Sequence, residues 1–276
     1  MAAPANATPV LFDRALLRLR QDRARKQGAV TFLLDRVAED FSDRLAAVKR
    51  EFSAVIDLWT PGELPLLAHA SVMRIALDER ETLPLQPESL DLVASALALQ
   101  FVNDLPGVLT QIRRALKPDG LLLAAMIGGD TLTELRQSFA AAEAECEGGV
   151  SPRVAPFADL RDVGQLLQRA GLALPVTDVD RVVVRYDNAF ALMHDLRRMG
   201  ATNILFERRR KPTRRATMLR MAQIYSQRFA DPDGRIRATF DIVWLSAWAP
   251  HESQQKPLRP GSAKASLEEA VKRGKR

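Results

Sequence analysis

The sequence predicts an α/β protein built on a mostly parallel sheet, with an antiparallel pair of strands at its end. Three observations predict it. Short apolar segments at 53–59, 89–102 and 121–129 alternate with stretches of helical periodicity, the pattern of strand–helix–strand units with right-handed crossovers. "SLDLVASALALQFV" is apolar nearly throughout, as a central strand covered on both faces requires. The final third changes character: "VTDVDRVVVRY" alternates apolar and polar residues, and "RIRATFDIVWLSAW" pairs antiparallel beside it.

Taken in order, residues 10–25 and 30–52 read as helices. In the second, Leu34, Val37, Phe41, Leu45, Val48 and Phe52 recur at three- and four-residue steps and make one apolar stripe. "SAVIDLW" is the first strand, followed by a helix around 63–70. "SVMRIALDE" is the second strand, ending in acids at Asp78 and Glu79, and "SLDLVASALALQFV" is the third. In "NDLPGVLTQIRRALKPDG", Asn103 or Asp104 caps a helix, Pro106 sits in its first turn, and Pro118-Asp119-Gly120 stops it. "LLLAAMIGG" is the next strand. Thr131 and Glu134 then have capping-box spacing at the head of "TLTELRQSFAAAEAE". "FADLRDVGQLLQRAG" is a further helix closed by Gly171, and helices at 189–199 and 213–229 separate the last two strands. Tyr186, Trp244 and Trp248 fall on those strands and read as core packing. The domain plan is an N-terminal helical segment at 1–52, an α/β domain at 53–250 with a helical insertion at 189–229, and a basic tail at 251–276.

The 276 residues are 47% hydrophobic and 27% charged, the balance of a soluble globular protein with one sizeable core. No apolar run is long enough to span a bilayer. The N-terminal stretch is Arg-rich and amphipathic like a mitochondrial transit peptide, yet Asp13 and Asp22 argue against one. A cytoplasmic or mitochondrial-matrix protein is expected. The single cysteine, Cys146, excludes an internal disulfide and a multi-cysteine metal site, and its neighbours Glu145 and Glu147 disfavour a thiolate. His69, His194 and His251 are too scattered for an iron-oxygenase triad, so no metal is expected. Serine-hydrolase elbows and phosphate-binding loops are absent. Part of the net charge of +6 concentrates in Arg208, Arg209, Arg210, Lys211, Arg214 and Arg215, read as a solvated loop leading into a helix. With no aromatics among those cations, a nucleic-acid stacking surface is not expected.

"VIDLWTPGE" has the opening of a nucleotide-binding turn: an apolar strand, an acid at Asp57, then a loop. "ESLDLVASALALQFVNDLPGVLTQIRRALKPDGLLLAAMIGGDTLTELR" resembles the central half of class I S-adenosylmethionine-dependent methyltransferases, a Rossmann-like fold. "GGDTLTELR", "AEAECEGGVSPRVAPF", "LLQRAG" and "HESQ…GSA" are similar to the methyltransferase-like complex I assembly factors, usually labelled methyltransferases, although the mitochondrial one is understood to hydroxylate an arginine on an iron–sulfur subunit of complex I. The resemblance implies a methyltransferase-like protein acting on a protein substrate in complex I assembly, with a cofactor-free binding factor or an arginine hydroxylase as alternatives. The malonyl-carrier methyltransferases are matched less well. The resemblance implies S-adenosylmethionine as cofactor and an iron–sulfur subunit of complex I as partner.

Site residues follow from the resemblance. The family turn runs roughly Asp-Leu-Gly-x-Gly-x-Gly; here Asp57 is retained, Trp59 and Pro61 replace glycines, and Gly62 is displaced by one position. Asp57 and Gly62 are expected to shape the loop, and Trp59 to turn away and wall an adenine. A left-handed backbone at Trp59 costs about 1–3 kcal/mol, so a different loop conformation is expected there. Asp78 or Glu79 would hold the nucleoside, and Gln100 with Phe101, ending the third strand, would face cofactor and acceptor. Asp130 and Thr131, beyond the fourth strand, are substrate candidates as well as a helix cap. Between Asp78 and the third strand the family places a further helix and strand, which "ERET" is too short to form. No catalytic base is assignable from these residues.

Overall fold

The computed structural model describes residues 10–64 and 71–255. α1 (Arg14–Lys26) begins where the Asp13 carboxylate accepts from the Leu16 amide at 2.9 Å, satisfying one free helical N–H. α2 (Phe32–Ala47) buries Leu34, Val37, Phe41 and Leu45 along the predicted stripe. The helix stops at Ala47, short of the expected end. Val48 is extended, and Phe52 reaches the same core from the straight segment that enters β1 (Ala54–Leu58). The helix expected around 63–70 falls largely outside the described residues.

Two strands end earlier than their apolar runs suggest. β2 (Ser71–Ile75) stops three residues before Asp78. β3 (Leu90–Ala96) stops where Leu97 takes φ +51°, and Leu99–Phe101 winds into a short 3₁₀ turn. Apolar character marked burial here, not extension. α3 (Leu105–Ala115) is capped by Asp104, which accepts from the Gly107 amide at 2.9 Å. Its end precedes Pro118-Asp119-Gly120, which lies inside β4 (Leu116–Gly128).

α4 (Thr133–Glu147), α5 (Leu160–Arg169), β5 (Ala173–Tyr186), α6 (Ala189–Arg198), α7 (Arg215–Phe229) and β6 (Ile236–Trp248) complete the chain. The six-stranded sheet has the order β2-β1-β3-β4-β6-β5. β2, β1, β3 and β4 are parallel neighbours, and β6 is antiparallel to both β4 and β5. As expected from the short "ERET" link, residues 76–89 form neither a helix nor a strand.

Strand alternation sends β3 and β4 side chains into two cores. Val93, Leu122, Ala124 and Met126 pack with α3 and α5, and Leu92, Ala94, Leu123 and Ala125 pack with α2. A third cluster joins α4, α6 and α7 to the first half of β6. Trp244 is fully buried among the α2 contacts, and Tyr186 is buried in the third cluster.

Candidate functional site

Strand order reverses direction between β1 and β3, and open parallel sheets bind ligands at the carboxyl ends of such strands. A cavity of about 760 Å³ lies there, within the range of small-molecule sites. Gly62 after β1, Leu97 and Gln100 after β3, and Ile127 at the end of β4 form one side. α1, α6 and the segments around 153–157 and 200–210 form the other.

The β1 turn departs from expectation. Trp59 does adopt the left-handed conformation, at φ +63°, so the loop keeps a glycine-like geometry with an indole in it. Two compensations explain how it holds. The indole is only 2% exposed in the main core, and burying it contributes more than the strain of about 1–2 kcal/mol removes. Its amide donates to the Ile75 carbonyl at 2.9 Å, so that N–H faces β2. Trp59 is absent from the cavity wall among the described residues. Gly62 does line the cavity, but its need for glycine comes from packing: a Cβ there would collide with the Leu34 side chain of α2.

Asp57 lies inside the sheet, away from the wall. Its carboxylate is 4% exposed and accepts from Arg74 Nε of β2 at 3.1 Å. Oδ1 has no hydrogen-bond partner. Burial pushes this carboxyl above its ordinary value, against the opposing pull of Thr60 and Arg74. Thr60 Oγ1 also accepts from the Ala96 amide at 3.0 Å, tying the turn to the end of β3.

Arg14 of α1 occupies the ground between the ends of β1, β2 and β3. Its Nε donates to the Asp78 carbonyl at 2.9 Å and its Nη1 to the Phe101 carbonyl at 3.4 Å. Glu81 stands 3.7 Å from the same guanidinium. Arg14 is 4% exposed, and desolvation lowers its pKa against the raising influence of Glu81 and Asp78. Asp78 therefore contributes its backbone here, while its carboxylate accepts from the Glu79 amide. Glu79 is exposed and 3.7 Å from Arg18. Neither acid lines the cavity among the described residues.

Gln100 and Phe101 do line it, from the 3₁₀ turn. Both polar atoms of Gln100 are engaged by backbone: Nε2 donates to Leu97 O at 2.7 Å, and Oε1 accepts from the Ile127 amide at 3.4 Å. The side chain braces β3 against β4. Asp130 stands outside the wall in an exposed pair with Arg181 at 2.9 Å.

Thr131 borders the cavity without capping α4. Its hydroxyl donates to Gly128 O at 2.7 Å and accepts from the Asp241 amide at 2.8 Å. The residue in the cap position is Leu132, left-handed at φ +54° and without a capping side chain. Glu134 accepts from the Thr239 hydroxyl at 2.5 Å and from its amide at 3.2 Å. The capping-box pattern is therefore spent on clamping α4 to β6. Capping spacing encodes polar groups one helical turn apart, and tertiary partners claimed them first.

Sequence reasoning missed the α4 clasp. Glu143, 1% exposed, accepts from the Ser151 amide at 2.7 Å, from the Ser151 hydroxyl and from Arg153. Arg209 pairs with Glu147 and lies 3.9 Å from Glu143, and Arg208 pairs with Asp13 at 3.2 Å. Part of the basic run is therefore tied to the body of the protein. The acids of "AEAECEGG" beside that run were the available signal. Among the described residues, no cluster of His, Cys, Asp and Glu could hold a metal ion, and no helix is long and apolar enough to cross a membrane.

Arg14, stacked on Trp59, thus occupies the ground between the ends of the first three strands. The acids expected to grip a ribose are turned elsewhere, and the described wall contains no carboxylate. Among the described residues Asp78 and Glu79 are not the acids that would hold the nucleoside, while the cavity lies at the strand ends where this fold binds S-adenosylmethionine.

Comparison with known proteins gives the wider setting. The methyltransferase-domain family matches residues 66–124. The chain is 36% identical over 293 residues to the mitochondrial arginine-hydroxylase NDUFAF5 of Danio rerio, covering 96% of this chain and 91% of that protein. Identity to its Homo sapiens counterpart is 37% over 289 residues, covering 95% and 84%. Against the malonyl-[acyl-carrier protein] O-methyltransferase of Xylella fastidiosa (strain M23) it is 33% over 236 residues, covering 80% and 78%. A solved Bacillus subtilis structure, the YcgJ protein, is similar at 12% identity with a TM-score of 0.46, covering 76% of this chain and 97% of that one. The architecture is the Rossmann-like, S-adenosylmethionine-binding fold of class I methyltransferases, and the chain is an S-adenosylmethionine-dependent methyltransferase-like protein. With identity sustained across nearly its whole length, the chain belongs to the family of NDUFAF5 arginine hydroxylases.

Proposed function

We propose that the chain acts on a protein substrate during assembly of respiratory complex I, with an iron–sulfur subunit of that complex as its partner. The observation that carries this reading is the continuous similarity to NDUFAF5 over 96% of the chain. It would work where that subunit is assembled, in the mitochondrial matrix or in the cytoplasm of a bacterium. Two modifications compete. The relatives' name gives hydroxylation of an arginine, and the lack of a carboxylate on the described cavity wall to grip a ribose favours it. The methyltransferase-domain match favours methyl transfer.

Mass spectrometry of the iron–sulfur subunit, from a strain lacking the chain and from the same strain complemented with it, separates the readings. An arginine heavier by one oxygen atom only when the chain is present supports hydroxylation. A residue heavier by one methylene unit supports methyl transfer. Unchanged masses with restored complex I leave a docking factor in place of an enzyme, and unchanged masses with no effect on complex I overturn the proposal. Calorimetric titration with S-adenosylmethionine gives a second arm: micromolar one-site binding supports methyl transfer, and no heat at millimolar ligand counts against it.

A further inference from the structure

The cavity at the carboxyl edge has a chemical bias that neither modification explains. Its floor is apolar, built from Leu33, Leu135, Phe139, Met193, Leu196 and Phe240. Its described wall carries seven arginines and no carboxylate. Four of the seven are neutralised by acids behind the wall: Arg25 by Asp22, Arg153 by Glu143, Arg208 by Asp13 and Arg209 by Glu147. Arg20, Arg197 and Arg210 have no carboxylate partner among the described residues.

Arg20 of α1 and Arg197 of α6 both line the cavity. They are shared with a smaller adjoining cavity of about 390 Å³, whose remaining lining is Arg23, Gln27 and Thr202. The Arg20 guanidinium donates to the Asn203 carbonyl and has no acid in contact. Desolvation lowers its pKa, and the neighbouring charges of Arg208 and Arg23 lower it further, against the raising influence of Asp13. Arg20, partly stripped of water and crowded by like charge, gains when an anion arrives. A cationic group in the same place would be repelled.

We propose that this cavity binds a small anionic amphiphile, a carboxylate or phosphate head held by Arg20 and Arg197 with its apolar chain laid against Leu33, Leu135, Phe139 and Phe240. Arg20 donates to the head from α1 and Arg197 from α6. The apolar floor selects a chain over a bare anion, because each buried methylene adds about 0.8 kcal/mol. This inference rests on the cavity and goes beyond the complex I reading. Binding can be present with the subunit unmodified, or absent with it modified, so the two fail separately.

Calorimetric titration of the full chain tests it with laurate, dodecyl phosphate, butyrate and dodecyltrimethylammonium, all below their micellar concentrations. Saturable one-site binding is expected for laurate, dodecyl phosphate or both, and the preferred head identifies the source of the ligand. Butyrate is expected to bind at least about tenfold more weakly, by the loss of several buried methylenes. The doubly substituted Arg20→Gln, Arg197→Gln chain is expected to lose at least about tenfold for the acids, by the loss of charge-assisted hydrogen bonds. A matching far-UV spectrum and melting temperature would establish that the variant is folded. Equal binding of dodecyltrimethylammonium, unchanged affinity in the folded variant, or only non-saturating uptake would each overturn the proposal. If the double variant does not fold, Arg197→Gln alone, on an exposed side chain, carries the same expectation of weakened binding.

Discussion

Arg14 lies over Trp59, its guanidinium carbon 4.3 Å from the centre of the indole. The pair joins the N-terminal helix to the turn after β1 and closes the ground between the first three strands. Replacing Trp59 with glycine removes the left-handed strain but also the buried indole. A net loss of about 1–4 kcal/mol is expected, from a cavity term of about 3–5 less a strain term of about 1–2. Urea unfolding measures it. A double-mutant cycle with Arg14→Ala should return a coupling of about 1–2 kcal/mol. Zero coupling would mean the stacking contributes nothing.

Asp57 predicts a pH effect with a definite sign. Burial, the largest influence, raises its pKa above the ordinary 3.8, and Thr60 and Arg74 do not overcome it. The folded chain therefore holds this proton more tightly than the unfolded chain does. Its contribution to stability is fullest below pH 3.8 and is lost as pH rises through the folded value. Asp57→Asn should raise the urea midpoint at pH 7, with the gain fading below pH 3.8, where both side chains are neutral. A lower midpoint at pH 7 would mean that the Arg74 pair outweighs burial.

Thr131 should behave as a strand clamp. Thr131→Val keeps the shape and strands the Asp241 amide, costing about 1–3 kcal/mol, while the Gly128 carbonyl keeps its bond from the residue-131 amide. Thr131→Ser should cost under about 1 kcal/mol, since the hydroxyl remains. Thermal unfolding of the two variants decides, and equal losses would exclude the hydroxyl as the cause.

Glu143 should be the most sensitive acid of α4. Removing it by Glu143→Ala leaves Arg153 without its buried partner, while Arg209 keeps Glu147, a loss of about 3–5 kcal/mol. Proteolysis should then cut first between 149 and 157 or between 207 and 215, the segments that the carboxylate ties down. Uncut loops at full stability would remove the clasp from the account.

The fold was legible because burial and periodicity carry it. The start of β3, the stripe Leu34–Leu45 and the capped start of α3 all formed where they were expected. The omission of structure between β2 and β3 was visible in a link too short to hold it. The site was less legible, because its residues are chosen by partners far apart in sequence. Nothing near Arg14 announces that it will reach Phe101, and nothing near Thr131 and Glu134 announces β6. Trp59 misled for a subtler reason. Glycine rules give the strain of a left-handed residue but not the compensation that a buried indole supplies. The cavity arginines come from α1, α6 and the 208–210 run, and only the packing of those elements brings their charges together.

β6 is inserted between β4 and β5 although it follows both in sequence. While a ribosome is still delivering the residues before Ile236, β4 has a bare margin and β5 has no neighbour in the sheet. The sheet can therefore be completed only after 236–248 have cleared the exit tunnel, although β2, β1, β3 and β4 can pair before then. Nascent chains stalled before that point expose an unpaired apolar border of the kind that aggregates, which makes this protein a natural client for chaperones that shield such borders until translation has passed β6.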